Sequence, residues 1–491
     1  MPYLRLEEIT KKFGSFVAND NISFDIESGK IHAILGENGA GKTTLMNILN
    51  GLYQPDKGQI YLQNKPVNIK SAHAAIQSGI GMIHQHFMLV PQLSVAENII
   101  LGIDKNWRLN IKQKQREIAA LSDSYELGIH PETKVADLPV GAQQRVEILK
   151  VLYRQAKLLI LDEPTAVLTP LEVKSLLKIL RKLATADNTI IFISHKLEEV
   201  MNLCDTVTVL RRGKVVANKN ISETTASELA ALMVGREVDF QLNKSPVQAG
   251  KVVLSVENLQ VADDRGVTAV RNISFQLREG EILGIAGVDG NGQRELADAI
   301  AGVRSIKGGQ IKLTQDFPHA GYIPEDRQKM GLILQFNIAQ NLILKAFRQL
   351  PFCRHFLLQP LSINNHGISA MEEFDIRAAK VDVKVSQLSG GNQQKVVLAR
   401  ELADKPKLIV AMQPTRGLDV GATEMVQQRL LAERKRGAAI VYISTELEEV
   451  MAMSDWIAVM YRGEFVGVLD GKAATVEEIG LLMGGGRRDE K

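Results

Sequence analysis

The sequence predicts an α/β protein built as two tandem copies of one domain, each formed around a mainly parallel sheet. Three observations carry this. At 491 residues the chain is longer than one hydrophobic core usually supports. It also repeats itself: Asn21-Ile22-Ser23-Phe24 returns as Asn272-Ile273-Ser274-Phe275, Ser194 as Ser444, and Leu197-Glu198-Glu199-Val200-Met201 as Leu447-Glu448-Glu449-Val450-Met451. Finally, short Val/Ile/Leu runs, Ile31 to Leu35, Leu158 to Leu161 and Ile190 to Ile193, alternate with helical patterns, as strands buried on both faces of a parallel sheet do.

The polar stretch 241–250, which holds Pro246 and Gly250, reads as a linker, giving domains 1–240 and 251–491. Positions 346–380 are less regular. Pro351, Pro360 and Gly367 break the pattern there, and the region is assigned to a helical subdomain. A hydrophobic fraction of 45% and a charged fraction of 23% are those of an ordinary globular protein. With 59 basic and 56 acidic side chains, the net charge of +3 gives no field that would argue for nucleic acid as a partner. No apolar run is long enough to span a membrane, and Met1-Pro2-Tyr3-Leu4-Arg5 opens into strand-like sequence rather than a signal peptide, so a cytosolic chain is expected. Cys204 and Cys353 lie in opposite halves, which suits a reducing compartment and buried packing roles.

Gly36-Glu37-Asn38-Gly39-Ala40-Gly41-Lys42-Thr43 fits the P-loop pattern between an apolar strand and a helical run that continues through Thr44 to Leu49. Its glycines let backbone N–H groups turn toward phosphate oxygens, and the helix N-terminus adds positive potential. Lys42 would reach the β and γ phosphates and Thr43 would ligate Mg²⁺. Leu158 to Leu161 runs into Asp162-Glu163, two acids at the end of a buried strand, an arrangement that is costly unless they meet a metal and a reacting water. Asp162 is expected to support the metal and Glu163 to polarise the water. His195, at the end of the next strand, would hold both in line with the γ-phosphate. Gln85, after Ile80 to His84, would sense the γ-phosphate and the metal. Phe13 would either stack on adenine or pack in the core. His84 and His86 flank Gln85 without a third ligand motif, so no metal is assigned to them.

Leu388-Ser389-Gly390-Gly391-Asn392-Gln393-Gln394-Lys395 resembles the signature motif of ABC ATPases, and the resemblance spans nearly the whole chain. It implies ATP and Mg²⁺ as ligands, and in each half an antiparallel β subdomain and a helical subdomain beside the parallel core. It also implies two ATP sites, each pairing the P-loop of one half with the signature of the other. The second half reads Gly287-Val288-Asp289-Gly290-Asn291-Gly292-Gln293-Arg294 where the first has its P-loop. Met412 and Gln413 stand for the two acids, Glu325 for Gln85 and Thr445 for His195. The first-half signature reads Leu138-Pro139-Val140-Gly141-Ala142, with Thr169 where the second half has Asp419. Crosswise, Lys42, Thr43, Gln85, Asp162, Glu163 and His195 fall with Ser389, Gly390, Gly391, Asn392 and Asp419 in one competent site. Every departure falls in the other, which would either hold nucleotide through Gly287, Gly290, Gly292, Gln293 and Arg294 or serve as empty scaffold.

Tandem halves of this size look like the ATPase subunit of bacterial nucleoside and simple-sugar importers. Met82 to Val90, Leu138 to Gly141 and Gln413-Pro414-Thr415-Arg416-Gly417-Leu418-Asp419 look closer to the nucleoside branch, with ribose-type sugars the alternative. The resemblance implies integral-membrane permease subunits as partners, indirectly an extracytoplasmic solute-binding protein, no nucleic acid, and a place on the cytoplasmic face of the membrane. Phe87, Met88, Leu89 and Val90, and residues after Glu325, are candidates for the permease groove or for ordinary core packing. A soluble ABC ATPase acting on ribosomes or DNA is the alternative of another class. It is disfavoured by the short linker and the degraded site.

Overall fold

The computed structural model describes residues 2–84, 87–103, 110–165, 168, 170–186, 188–194, 196–237, 244, 248–313 and 319–486. The chain divides into two compact units, Met1–Val238 and Asp239–Lys491. Most of the expected linker, including Pro246, lies outside the described residues.

The first unit holds a six-stranded sheet in the order Lys214–Asn220, Thr206–Arg211, Ile31–Leu35, Thr189–Ile193, Leu158–Asp162, Ile80–Ile83. All neighbours run parallel except the Lys214–Asn220 edge. The strand Ile31–Leu35 is buried throughout, as a central strand covered on both faces must be. Beside this sheet lies an antiparallel one, in the order Phe16–Glu27, Pro2–Phe13, Lys57–Leu62, Lys65–Val67. The helix Lys42–Leu49 contributes Leu45, Met46, Ile48 and Leu49 to the core that both sheets share. The helices Val95–Ile100, Ile111–Ser124 and Val140–Tyr153 pack on one another as a helical subdomain.

The second unit repeats the plan. Its six strands are Gly321–Ile323, Leu408–Met412, Ala439–Ile443, Ile282–Ala286, Trp456–Tyr461 and Glu464–Asp470, with an antiparallel sheet of Thr268–Arg278, Val252–Ala262 and Ile306–Leu313. Within positions 346–380, Pro360 and Gly367 do not break the helical pattern as expected. Pro360 occupies the first turn of the helix Pro360–Glu373, where its missing N–H costs nothing, and Gly367 lies inside that helix. The glycine is there for space: a Cβ would meet Val381 and Ala339. Cys204 is buried, but Cys353 is only partly so.

Candidate functional site

In a parallel sheet the loops that follow neighbouring strands emerge at one edge, the carboxyl ends, and this is where α/β proteins place ligands. Ile80–Ile83, Leu158–Asp162, Thr189–Ile193 and Ile31–Leu35 are such neighbours. Their carboxyl ends bring together Gly36 to Thr43, Asp162, Glu163 and Ser194. Gln85 and His195, each assigned just beyond one of these strands, lie outside the described residues, as do His86 and Thr169.

The first loop turns through Gly39 at φ 82° and Gly41 at φ 101°, angles at which a side chain would be strained. A Cβ on Gly41 would also press against the Ala18 carbonyl and the Asn19 amide. Gly41 caps the helix Lys42–Leu49 with no side-chain hydrogen bond and no acid in the first turn, so its leading N–H groups face outward, as a phosphate requires. Gly36 and Ala40 are buried, Glu37 is partly so, and Asn38, Gly39 and Thr43 are exposed, with Thr44 intermediate. The Lys42 ammonium is buried against the loop it would serve, donating to the carbonyls of Gly36 (2.6 Å) and Glu37 (3.1 Å).

Glu163 holds a left-handed φ of 46°, fixed where its N–H donates 2.9 Å to the Ile193 carbonyl. A non-glycine residue held so is strained and turns the carboxylate off the strand end. Burial, and then the neighbouring Glu163 carboxylate, hold Asp162 above the ordinary carboxylate pKa, while Lys42 and His84 pull it back. Hard oxygen donors from Thr43 and Asp162 suit a divalent cation that prefers oxygen.

Phe13 ends the strand Pro2–Phe13 and is 43% exposed, which removes the core-packing reading. Its ring meets Tyr53 edge-on at 5.3 Å and lies 5.6 Å from the Lys11 ammonium. Met88 and Val90 are also exposed, so core packing does not describe them. Glu147 accepts the Met88 N–H at 2.6 Å and Asn98 accepts the Val90 N–H at 2.8 Å, pinning the backbone while the side chains point outward.

In the second unit the corresponding frame survives. Gly290 (φ 87°) and Gly292 (φ 101°) turn the loop, and Gln413 (φ 49°) donates its N–H 2.7 Å to the Ile443 carbonyl. The contents differ. Gln293 is buried; its amide oxygen accepts the Asn291 N–H at 3.1 Å and its amide nitrogen donates to the Val288 carbonyl at 3.0 Å, so the loop is stitched to itself. Gly287 lies against that amide, and Glu295 occupies the first helical turn, opposing an anion there. Arg294 leans toward Asp298, 3.8 Å away. Met412 is buried, and the Gln413 amide donates to Thr445 Oγ1 at 3.2 Å. Glu325 pairs with Arg416.

Ser389 caps the signature helix Gly390–Leu402, its hydroxyl accepting from Asn392 N–H, whereas Pro139 at the matching position caps Val140–Tyr153 without a side-chain bond. A Cβ on Gly391 would crowd Ala422 at 3.2 Å. Asp419 caps the helix Val420–Lys435 by accepting from Ala422 N–H at 2.9 Å.

One arrangement was overlooked in the sequence. Glu199 accepts from Thr165 Oγ1 at 2.8 Å and Ser194 Oγ at 3.1 Å, and the Ser194 hydroxyl accepts the Lys196 N–H at 3.0 Å. In the second unit Glu449 accepts from Thr415, Ser444 and Tyr442. Both glutamates lie in the first turn of a short helix, Glu199 buried and Glu449 partly so, and tie the end of one strand to the segment after the next. The repeated Ser and Leu-Glu-Glu-Val-Met were the visible signal.

The ABC transporter family model matches residues 19–166 and 270–416. The chain is 45% identical to the nucleoside import ATP-binding protein NupA of Lactococcus lactis subsp. cremoris, over 99% of each chain. It is 46% identical to the guanosine import ATP-binding protein NupO of Bacillus subtilis, over 99% of this chain and 98% of the relative. To the ribose import ATP-binding protein RbsA of Caldanaerobacter subterraneus subsp. tengcongensis it is 38% identical over 99% of each.

Proposed function

The chain belongs to the ABC transporter family and is an ATPase, and on that premise we propose that it drives nucleoside import through permease subunits from the cytoplasmic face of the membrane. The observation that carries the substrate is the full-length identity of 45% and 46% to the nucleoside and guanosine import proteins, against 38% to the ribose one. Among the described residues no helix is long and apolar enough to cross a membrane, and this reading gives the passage for solute to the permease subunits.

Turnover belongs to the first-half chemistry. Lys42 would leave the Gly36 and Glu37 carbonyls to meet the terminal phosphates, the uncapped N–H groups of Lys42–Leu49 would cradle them, and Thr43 and Asp162, with Gln85 by its place in the sequence, would hold Mg²⁺. The ion, when bound, neutralises charge on the phosphates. Glu163 orients the attacking water, His195 steadies it, and Phe13 with Tyr53 offers an aromatic face to the base. Ser389, Gly390, Gly391, Asn392 and Asp419 complete this site, an assignment drawn from sequence. Phe87 to Val90 present the apolar surface for a permease element.

The test is uptake of labelled nucleosides and of ribose by cells carrying the chain with its permeases, wild type against Glu163→Gln. Nucleoside uptake lost in the variant supports the reading; ribose uptake alone moves the substrate; energy-dependent uptake of neither overturns it.

A further inference from the structure

Positions 327 to 371 contain Arg327, Lys329, Lys345, Arg348 and Arg354 but no Asp or Glu, in a chain where 56 of 491 residues are acidic. Inside this stretch the strands Cys353–Arg354 and Leu357–Leu358 form a hairpin, Cys353 facing Leu358 and Arg354 facing Leu357. Its turn is His355-Phe356, at φ 49° and 63°. A two-residue turn with both φ values positive favours Asn and Gly, and a bulky aromatic there is strained. Nothing in the unit compensates: the Phe356 side chain is 101% exposed. Leu350, Leu357 and Leu361 around it are exposed as well, and Ile368 shares the face of Leu361 two helical turns along Pro360–Glu373. Lys345 pairs with Glu401 and Lys329 with Asp326. Arg348 stacks 5.3 Å from the Phe347 ring centroid, and neither it nor Arg354 meets an acid among the described residues.

We infer that this hairpin and the helix face beside it form a membrane-surface anchor, with Phe356 and its neighbouring leucines in the headgroup region and Arg348 and Arg354 on anionic lipid phosphates. Aromatic and leucine side chains flanked by cations are the composition of interfacial elements. The charge decides between lipid and protein. Cytoplasmic loops of integral membrane proteins carry an excess of Lys and Arg, which would repel Arg348 and Arg354 beside the exposed Phe356. The cytoplasmic leaflet is negative and attracts it. The strained turn then has a physical reason, since it puts the ring where only a partner can bury it. The anchor presupposes that the chain works beside a membrane, as the import reading does, but it is measured apart from transport.

The experiment floats the purified full-length chain with phosphatidylcholine vesicles, with and without phosphatidylglycerol. Binding is expected only with phosphatidylglycerol and should weaken as salt rises. Phe356→Ser with Leu357→Ser should lower the bound fraction roughly tenfold. Arg348→Gln with Arg354→Gln should remove most of the salt dependence. The melting temperature and ATPase rate of both variants should match wild type, because these side chains are exposed. A wild-type chain that fails to float with phosphatidylglycerol, or variants that float as wild type does, overturns the anchor. Variants that float normally but no longer co-purify with permeases in detergent would make the patch a protein-docking surface instead. Flotation as expected in a chain that supports no uptake leaves the anchor standing and removes the import reading.

Discussion

The loops Gly36 to Thr43 and Gly287 to Arg294 have nearly the same backbone and opposite chemistry. Both end on a glycine at φ 101° that starts a helix of the same length without a side-chain cap. In the first, an ammonium lies folded on the loop carbonyls, held by bonds a nucleotide could replace. In the second, an amide donates and accepts within the loop, and an acid sits in the first turn. On the proposed reading the second half differs in chemistry through its side chains, over a backbone that turns the same way. Backbone geometry is therefore a poor guide to which half turns over ATP, and the acids and the lysine are the informative features.

The sharpest way to break this comparison is to exchange contents across it. Glu163→Gln, which gives the first half the amide of Gln413, should lower steady-state ATPase by about 10²-fold or more while nucleotide binding persists. Gln413→Glu should leave the rate within about twofold, because Met412 still stands where Asp162 does. A Glu163→Gln chain hydrolysing near wild type would assign the chemistry to the wrong half. Next, Lys42→Gln should weaken ATP affinity by roughly tenfold or more in a fluorescent-nucleotide titration, whereas Gln293→Lys should change it little.

The same comparison predicts unequal responses to acid. His32 lies buried in the central strand of the first unit, its ring nitrogens 2.7 and 2.8 Å from the hydroxyls of Thr206 and Thr208. Leu283 occupies the matching position of the second, paired with Trp456 as His32 is with Thr206. Burial lowers the His32 pKa from 6.5 to about 3. The unfolded chain takes up a proton below pH 6.5 and the folded one does not until about 3, so stability falls as pH drops through that window. The slope approaches roughly 1.4 kcal/mol per pH unit. Calorimetry across this range should show the first unit melting earlier as pH falls, and His32→Leu should flatten the trend. A first transition with no pH dependence between 6 and 4 would remove the assignment of this slope to His32. The smallest effect concerns the signature helices. Ser389→Ala should cost about 1 kcal/mol through the lost cap, while Pro139→Ala should cost less, since no side-chain cap is lost.

Much of this was legible in sequence for a specific reason. Strands buried on both faces read as continuous apolar runs, so Ile31 to Leu35 was placed to the residue, and the duplicated fragments gave the two-domain plan. Gly367 was misread because a glycine that admits a neighbouring side chain looks the same in sequence as one that ends a helix. The ambiguity at Phe13 had the same source, since a strand-end aromatic carries no mark of which way it faces. The Glu199 and Glu449 clusters went unrecognised because their partners, Thr165 and Thr415, lie on a different strand end far away in sequence. Only the folded sheet brings them together.

The left-handed turn shared by Glu163 and Gln413 bears on ancestry. A backbone strained at φ 46° and 49° is costly to keep, and on the proposed reading only Glu163 uses it, yet Gln413 holds it too, pinned by the same bond to the next strand. Tyr442, Thr415 and Ser444 still brace the strand ends through Glu449. On the proposed reading, a second active site would need substitutions at Gln293, Arg294, Glu325, Met412, Gln413 and Thr445 and, in the first-half signature, at Pro139, while the left-handed turn at Gln413 already has the conformation of the one at Glu163.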